Sequence, residues 1–231
     1  MPFAAGDAMK KDSPVRSQLK TPRAAAIAGI LFSVLFVVAF ALLRTYLPGD
    51  PTDSGEWLSA GTGSVGFALN LVPFAGIAFL WFVGSLRDRL GSLEDRFFST
   101  VFLGSSLLFL AMLFTSAAAV GAIILTFAGP NPPVDSAVFH FARTLAYNIV
   151  NIYMIKMAAV FMISTSTVVI YTAIAPRWAA FIGFGLALLL LFASSYFSWL
   201  FVAFPFWIFL ISVCLLVDEF YRQPVKSEAK H

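Results

Sequence analysis

Again and again the sequence runs apolar for about the length of one membrane crossing and then stops at a polar or proline-containing break. The first run, 24–43, reads AAAIAGILFSVLFVVAFALL. At ~1.5 Å per residue such a stretch spans a ~30 Å hydrocarbon core as an α-helix. In hydrocarbon only a helix or a closed barrel satisfies every backbone polar group. Further runs cover 59–86, 99–127, 154–175, 178–193 and 199–217. Of the 231 residues 60% are hydrophobic and 12% charged, more apolar side chain than one soluble core of this size hides. The expectation is an all-α, polytopic membrane protein: a six-transmembrane-helix bundle embedded in the lipid bilayer.

The breaks have local causes. The first run ends in LLRTYLPGD, with no small-x-small cleavage site, and is longer than a signal-peptide core, so it reads as a retained helix. The second begins weakly with GTGSVG and holds Asn70 and Pro73, where a kink is expected. AGPNPP ends the third run and Pro176 the fourth. Residues 1–23 read as a flexible cytoplasmic tail, and 218–231 as a second. The 26 phenylalanines and five tryptophans suit lipid-facing helices with aromatic ends.

Charge gives the orientation. With the N-terminus inside, the inside segments hold Lys10, Lys11, Arg16, Lys20 and Arg23, then Arg87, Arg89 and Arg96, then Arg177, then Arg222, Lys226 and Lys230. Only Arg44, Arg143 and Lys156 of the 15 basic residues fall outside. The positive-inside rule thus puts both termini in the cytoplasm. The basic residues flank apolar runs without forming an aromatic-interleaved patch, so no nucleic acid is expected as a partner.

Residues 136–175 are twice too long for one crossing, about 60 Å if helical. An outer segment, 129–153, is therefore expected either to extend the fourth helix or to lie on the membrane surface. On a helical period His140, Thr144, Tyr147 and Asn151 share one face, with Arg143 and Asn148 at its margins. This stripe is a candidate ligand or partner face, and its bland counterpart is a solvated surface. Lys156 falls nearly opposite. Counting back from Ala175 puts it at the outer edge of its span, where a lysine snorkels cheaply; a functional lysine would need a shifted, longer span. Asn70, with the carbonyl that Pro73 frees, is a second candidate, for a ligand or for another helix. Hydroxyls of the STST run, 164–167, are expected to bond back to their own helix.

Small residues recur at four-residue spacing: Ala60, Ser64 and Ala68; Ala111, Thr115 and Ala119; Ala179, Gly183 and Ala187. They permit close helix approach, within the chain or in a homo-oligomer. Catalytic signatures are thin. His140 and His231 do not make a bis-histidine haem pair within a bundle, no zinc spacing occurs, and GTGSVG has Thr62 where G-x-S-x-G needs glycine. Cys214 has no intrachain partner and reads as a small hydrophobe. The outer acids Asp50, Asp53, Glu56 and Asp135, near His140, are the residues a lipid-headgroup enzyme would need, and otherwise decorate wet loops. No cofactor, metal or catalysis is expected.

Between the second and third runs, Gly84, Asp88, Arg89 and Gly91 of GSLRDRLG resemble the G-x-x-x-D-R-x-G cytoplasmic loop of major facilitator transporters. The resemblance implies transport. It departs from that family at Ser92 and Leu93, where a basic pair continues the motif, and at half the helix count. Gly91 as a turn between headgroup-level charges explains the same loop. As a whole, the layout and the start RAAAIAGILF resemble the small six-helix bacterial membrane proteins rich in Ala, Phe and Gly. That resemblance implies the bundle, a bacterial inner membrane and no particular activity. The functional expectation is a small channel-, carrier- or lipid-binding-like bundle. The alternative is a non-catalytic accessory or scaffold subunit contacting another membrane protein, with a membrane enzyme acting on lipid as the third.

Overall fold

The computed structural model describes residues 21–47, 58, 61–128, 136–172, 174–193 and 199–228. Among them the chain is almost entirely helical, without strands. The elements are α1 (Thr21–Tyr46), α2 (Thr62–Leu90), α3 (Arg96–Phe127) and α4 (Ala137–Asn148), then a π-helical segment (Ile149–Met154) leading into α5 (Ile155–Thr172). After these come α6 (Arg177–Ala193), a 3-10 turn (Leu200–Val202) and α7 (Ala203–Glu228). Five stretches are long and apolar enough to cross a membrane, and α6, with 17 residues, is a shorter apolar sixth.

The helices close into a ring. α1 packs along α2 on one side and α7 on the other; α3 joins α2 to α4 and α5; α6 bridges α5 and α7. Lipid tails are as apolar as leucine, so such helices are held by close packing and not by escape from water. Two devices supply it. Phenylalanines from α1 (Phe32, Phe36, Phe40), α2 (Phe79), α3 (Phe109), α5 (Phe161) and α7 (Phe204) meet in the middle. Phe79 lies 4.9 Å from Phe32, 5.1 Å from Phe109 and 5.2 Å from Phe161, tilted or edge-on. Each such pair adds about 0.5–1.5 kcal/mol beyond area burial. The second device is glycine. Gly183 lets α6 reach Ser166 of α5 and Trp207 of α7, and the buried Trp207 indole donates Nε1–H to the Ala179 carbonyl at 3.1 Å.

Two helices outrun the apolar runs read from sequence. The helix that carries the fourth run begins well before 154: Ala137–Thr172 is one 36-residue helical stretch, about 54 Å long. The outer segment therefore extends the helix over its described part. Ser136 starts it by accepting the Phe139 N–H on Oγ at 3.2 Å, and Phe139, Arg143, Ala146 and Ile149 bury one face. The opposite side of α4 exposes Val138, Phe141 and Leu145, so this is an amphipathic helix with an apolar outer surface and not a wholly solvated one. At the other end the apolar stretch closes at Asp218, next to the expected limit at 217, while α7 runs on to Glu228, because polar composition marks a membrane boundary without stopping a helix.

The hydroxyls of the STST run behave as expected: Ser164, Thr165 and Thr167 donate to the carbonyls of Val160, Phe161 and Ile163 at 3.0, 2.8 and 2.9 Å. Ser166 instead points its buried Oγ at Gly183, without a hydrogen-bond partner among the described residues. Of the small-residue stripes, Ala179, Gly183 and Ala187 are consumed in packing within the chain. Ala111 and Thr115 stay exposed, while Ala119 turns partly inward.

Candidate ligand-binding pocket

The buried apolar residues fall into two clusters. The larger holds the phenylalanine centre; the smaller, with Leu58, Val65, Val120, Ile123, Phe127, Phe139 and Ala146, caps one end of the bundle. Between them lies a cavity of about 90 Å³. Phe40, Val72 and Leu113 of the larger cluster form its floor, and Leu43, Leu69, Val120, Ile123 and Ala146 belong to the cap. At roughly 10–15 Å³ per water-sized group, it admits about six to nine such groups.

This apolar pocket carries two guanidinium groups. Arg143 is 5% exposed, on the buried face of α4, and Arg44 enters from the last turn of α1. Arg44 donates from Nη2 to Asn151 Oδ1 at 3.0 Å, and its guanidinium carbon stands 5.3 Å from the centre of the Phe201 ring. The second contact is a cation–π arrangement. The Asn151 amide is oriented from behind, since its Nδ2 donates to the Tyr147 carbonyl at 2.9 Å. Asn151 sits inside the π-helical segment, where the wider turn changes which side chains face the bundle; single π turns of this kind are frequent at functional sites. Ser116 completes the polar lining, with its hydroxyl spent on the Leu113 carbonyl at 2.8 Å. Among the described lining residues there is no carboxylate and no histidine.

Depth adds to the cost. Arg23 to Arg44 along α1, and Asn151 to Thr172 along the fourth crossing, each measure about 32 Å, one hydrocarbon thickness. By this measure Arg44 and Asn151 lie one hydrocarbon thickness from the far ends of their helices, and Arg143 about 12 Å further along α4. An arginine at the centre of a span costs roughly 2.5–3.5 kcal/mol on insertion scales and less toward its end, and such residues are kept where they are used.

Of the residues singled out from sequence, Arg143, Tyr147 and Asn151 line the pocket together. Asn148 is half-buried beside it. His140 is half-buried, edge-on to Phe139 at 5.8 Å, and off the lining. Asn70 is exposed and donates Nδ2–H to the Gly66 carbonyl of its own helix at 3.0 Å, while its neighbours Leu69 and Val72 reach the cavity in its stead. Lys156 is exposed, about 24 Å along the helix from Thr172, as a snorkelling side chain would be. Asp50, Asp53, Glu56, Asp135 and Gly91 lie outside the described residues.

Arg44 escaped the sequence reading, yet it had a signal. Arg44, Arg143 and Lys156 are the three exceptions to the charge partition, and two of the three are the pocket's cations. No protein-family model, curated protein or solved structure matches this chain.

Proposed function

We propose that this protein is a non-catalytic, lipid-binding or carrier-like bundle of six crossings that takes a small amphiphile into the pocket between the two clusters. In this reading both termini are cytoplasmic, the membrane is a bacterial inner membrane, and the pocket opens toward the outer leaflet. One observation carries it: an apolar cavity at the level where hydrocarbon meets headgroups, walled by alkyl side chains and marked by Arg44 and Arg143. The phenylalanine centre beneath it favours binding over an open channel. Ser116 and Tyr147 stand without a histidine or carboxylate among the described lining residues, which favours binding over hydrolysis.

A second reading, an accessory subunit, is favoured by one feature. Ala111, Thr115, Ala118 and Ala122 are exposed along one side of α3, a surface on which another helix could pack closely. Native mass spectrometry of protein gently extracted from its own membrane separates the two. A bound lipid mass that disappears when Ala146→Trp fills the pocket is the result expected. A bare monomer sinks both readings, and a constant partner chain without lipid selects the second.

Orientation is tested with single cysteines at 53 and 92 in a Cys214→Ser background. In intact cells an impermeant maleimide should label the first and spare the second; labelling of both from one side would overturn the topology.

A further inference from the structure

Resting on the pocket as a binding site, we infer that its entrance is the seam between α1 and the fourth crossing. The Arg44–Asn151 hydrogen bond is a side-chain latch across that seam, and an apolar molecule enters sideways from the outer leaflet when the latch parts.

Packing singles out this seam. α1 packs along α2 and α7, α2 along α3, and the fourth crossing along α3 and α6. Among the described residues α1 and the fourth crossing do not pack along each other. Both nevertheless line the pocket, α1 with Phe40, Leu43 and Arg44 and the fourth crossing with Tyr147, Val150 and Asn151. Deeper in the bundle α7 lies beside α1 and closes that side. It is preceded by the 3-10 turn, whose Phe201 stands 5.5 Å from the Phe40 ring and 5.3 Å from the Arg44 guanidinium carbon. The route from below is shut. Phe40 stacks on Phe36 at 4.2 Å, and the space beneath narrows to a void of about 10 Å³, lined by Phe36, Phe109 and Met154 with no polar side chain among its lining residues.

The bridge suits opening and closing. Arg44 Nη2 donates to Asn151 Oδ1 at 3.0 Å, a tie to a neutral amide and weaker than the paired arginine–carboxylate bonds that hold two elements shut. Its halves differ in freedom. Asn151 is fixed, because its Nδ2 donates to the Tyr147 carbonyl of its own helix at 2.9 Å. Arg44 is the mobile half, reaching from the last turn of α1 on a long stem, and the Phe201 ring keeps its guanidinium close after the bond parts. Leu43 and Val150, the chain neighbours of the two latch residues, also line the cavity, so the passage between the walls is apolar.

The test reads the opening without a ligand. It uses the full chain with Cys214→Ser in phosphatidylcholine nanodiscs, and follows alkylation by N-ethylmaleimide of a thiol placed in the pocket by Ala117→Cys. A thiol placed on the exposed side of α3 by Ala111→Cys is the control. Arg44→Met and Asn151→Leu keep the bulk and remove the bond, so each should raise the pocket thiol's rate about tenfold. Asn151→Asp makes the bond charge-assisted and should lower that rate about fivefold, an effect that disappears in combination with Arg44→Met. The control should stay within about twofold throughout. A sulfonated maleimide, confined to water by its charge, should reach the pocket thiol at least about tenfold more slowly than N-ethylmaleimide. A pocket-thiol rate unchanged by all three variants, or changed in step with the control, would overturn the latch. Equal rates with the two reagents would overturn entry from lipid. Neither result touches the pocket reading, whose own failure is a lipid-bound mass that survives Ala146→Trp.

Discussion

Gly183→Val is expected to destabilise the bundle by about 3 kcal/mol, while Gly185→Val, two positions along the same helix, leaves stability within about 0.5 kcal/mol. A Cβ at 183 lands on Ser166 Oγ and comes within 2.6 Å of Trp207 Nε1, whereas a Cβ at 185 meets nothing within 4 Å. Overpacking alone costs about 1–3 kcal/mol. The collision also pushes the indole away from the Ala179 carbonyl, and a buried N–H left without its acceptor costs about 1–3 kcal/mol more. In lipid no water waits to replace that acceptor, so the upper part of the range applies. Thermal unfolding in a mild detergent, followed by tryptophan fluorescence and by the monodisperse peak on gel filtration, measures both variants side by side. Equal stability of the two would mean that α6 is not clamped between α5 and α7 as described. The pair is informative because both substitutions add the same atoms to the same helix and differ only in what those atoms meet.

The membrane class and nearly every helix were legible from apolar run length, because hydrocarbon leaves the backbone no alternative to internal hydrogen bonding. The two helices that outrun their apolar runs do so for one cause. Run length reports where lipid begins and ends, whereas a helix ends where its hydrogen bonding ends; α4 and the last turns of α7 are helical without being a simple apolar run. The stretch 137–153 looked polar on one face and was assigned outside. Its buried side, Phe139, Arg143 and Ala146, is matched to α3 by contacts that no local pattern reveals.

The site was half legible. Tyr147 and Asn151 were found because one helix face is a local, periodic signal, whereas Arg44 meets Asn151 across 107 residues of sequence. The π-helical segment was invisible too: IVNIYM is ordinary helical sequence, with no proline or glycine to mark the wider turn. Asn70 shows the opposite outcome. An amide inside an apolar run looks functional, yet a side chain long enough to reach the carbonyl four residues back satisfies itself at home. The more reliable signal was a cost without local relief: arginines on the side of the membrane where the charge partition places almost none.

Phe40→Ala should deepen the pocket and shift its preference toward longer tails. Phe40 is the floor: its ring lines the cavity and stacks on Phe36 at 4.2 Å with 17° between planes, and Phe36 in turn lines the smaller void beneath. Removing the ring joins the two spaces over about one helical turn, ~5.4 Å, enough for about four further methylenes. Collapse into the gap is opposed because Phe36 is itself held by Phe32 at 5.3 Å and Phe109 at 6.2 Å. Phe→Ala in a water-soluble core costs about 3–5 kcal/mol, of which part is transfer from water. Here the unfolded reference is already in lipid, so mainly the contact and cavity part remains, about 2 kcal/mol. The variant should therefore fold with reduced stability, while its optimum among single-chain amphiphiles of 8 to 18 carbons, measured by equilibrium binding in phosphatidylcholine nanodiscs, moves up by about four carbons. Loss of the stack also frees Phe201, 5.5 Å from Phe40, which lies against Arg44, so affinity for the head should fall by about threefold or less. A folded variant whose chain-length optimum stays where it was would mean that the tail does not run inward past Phe40.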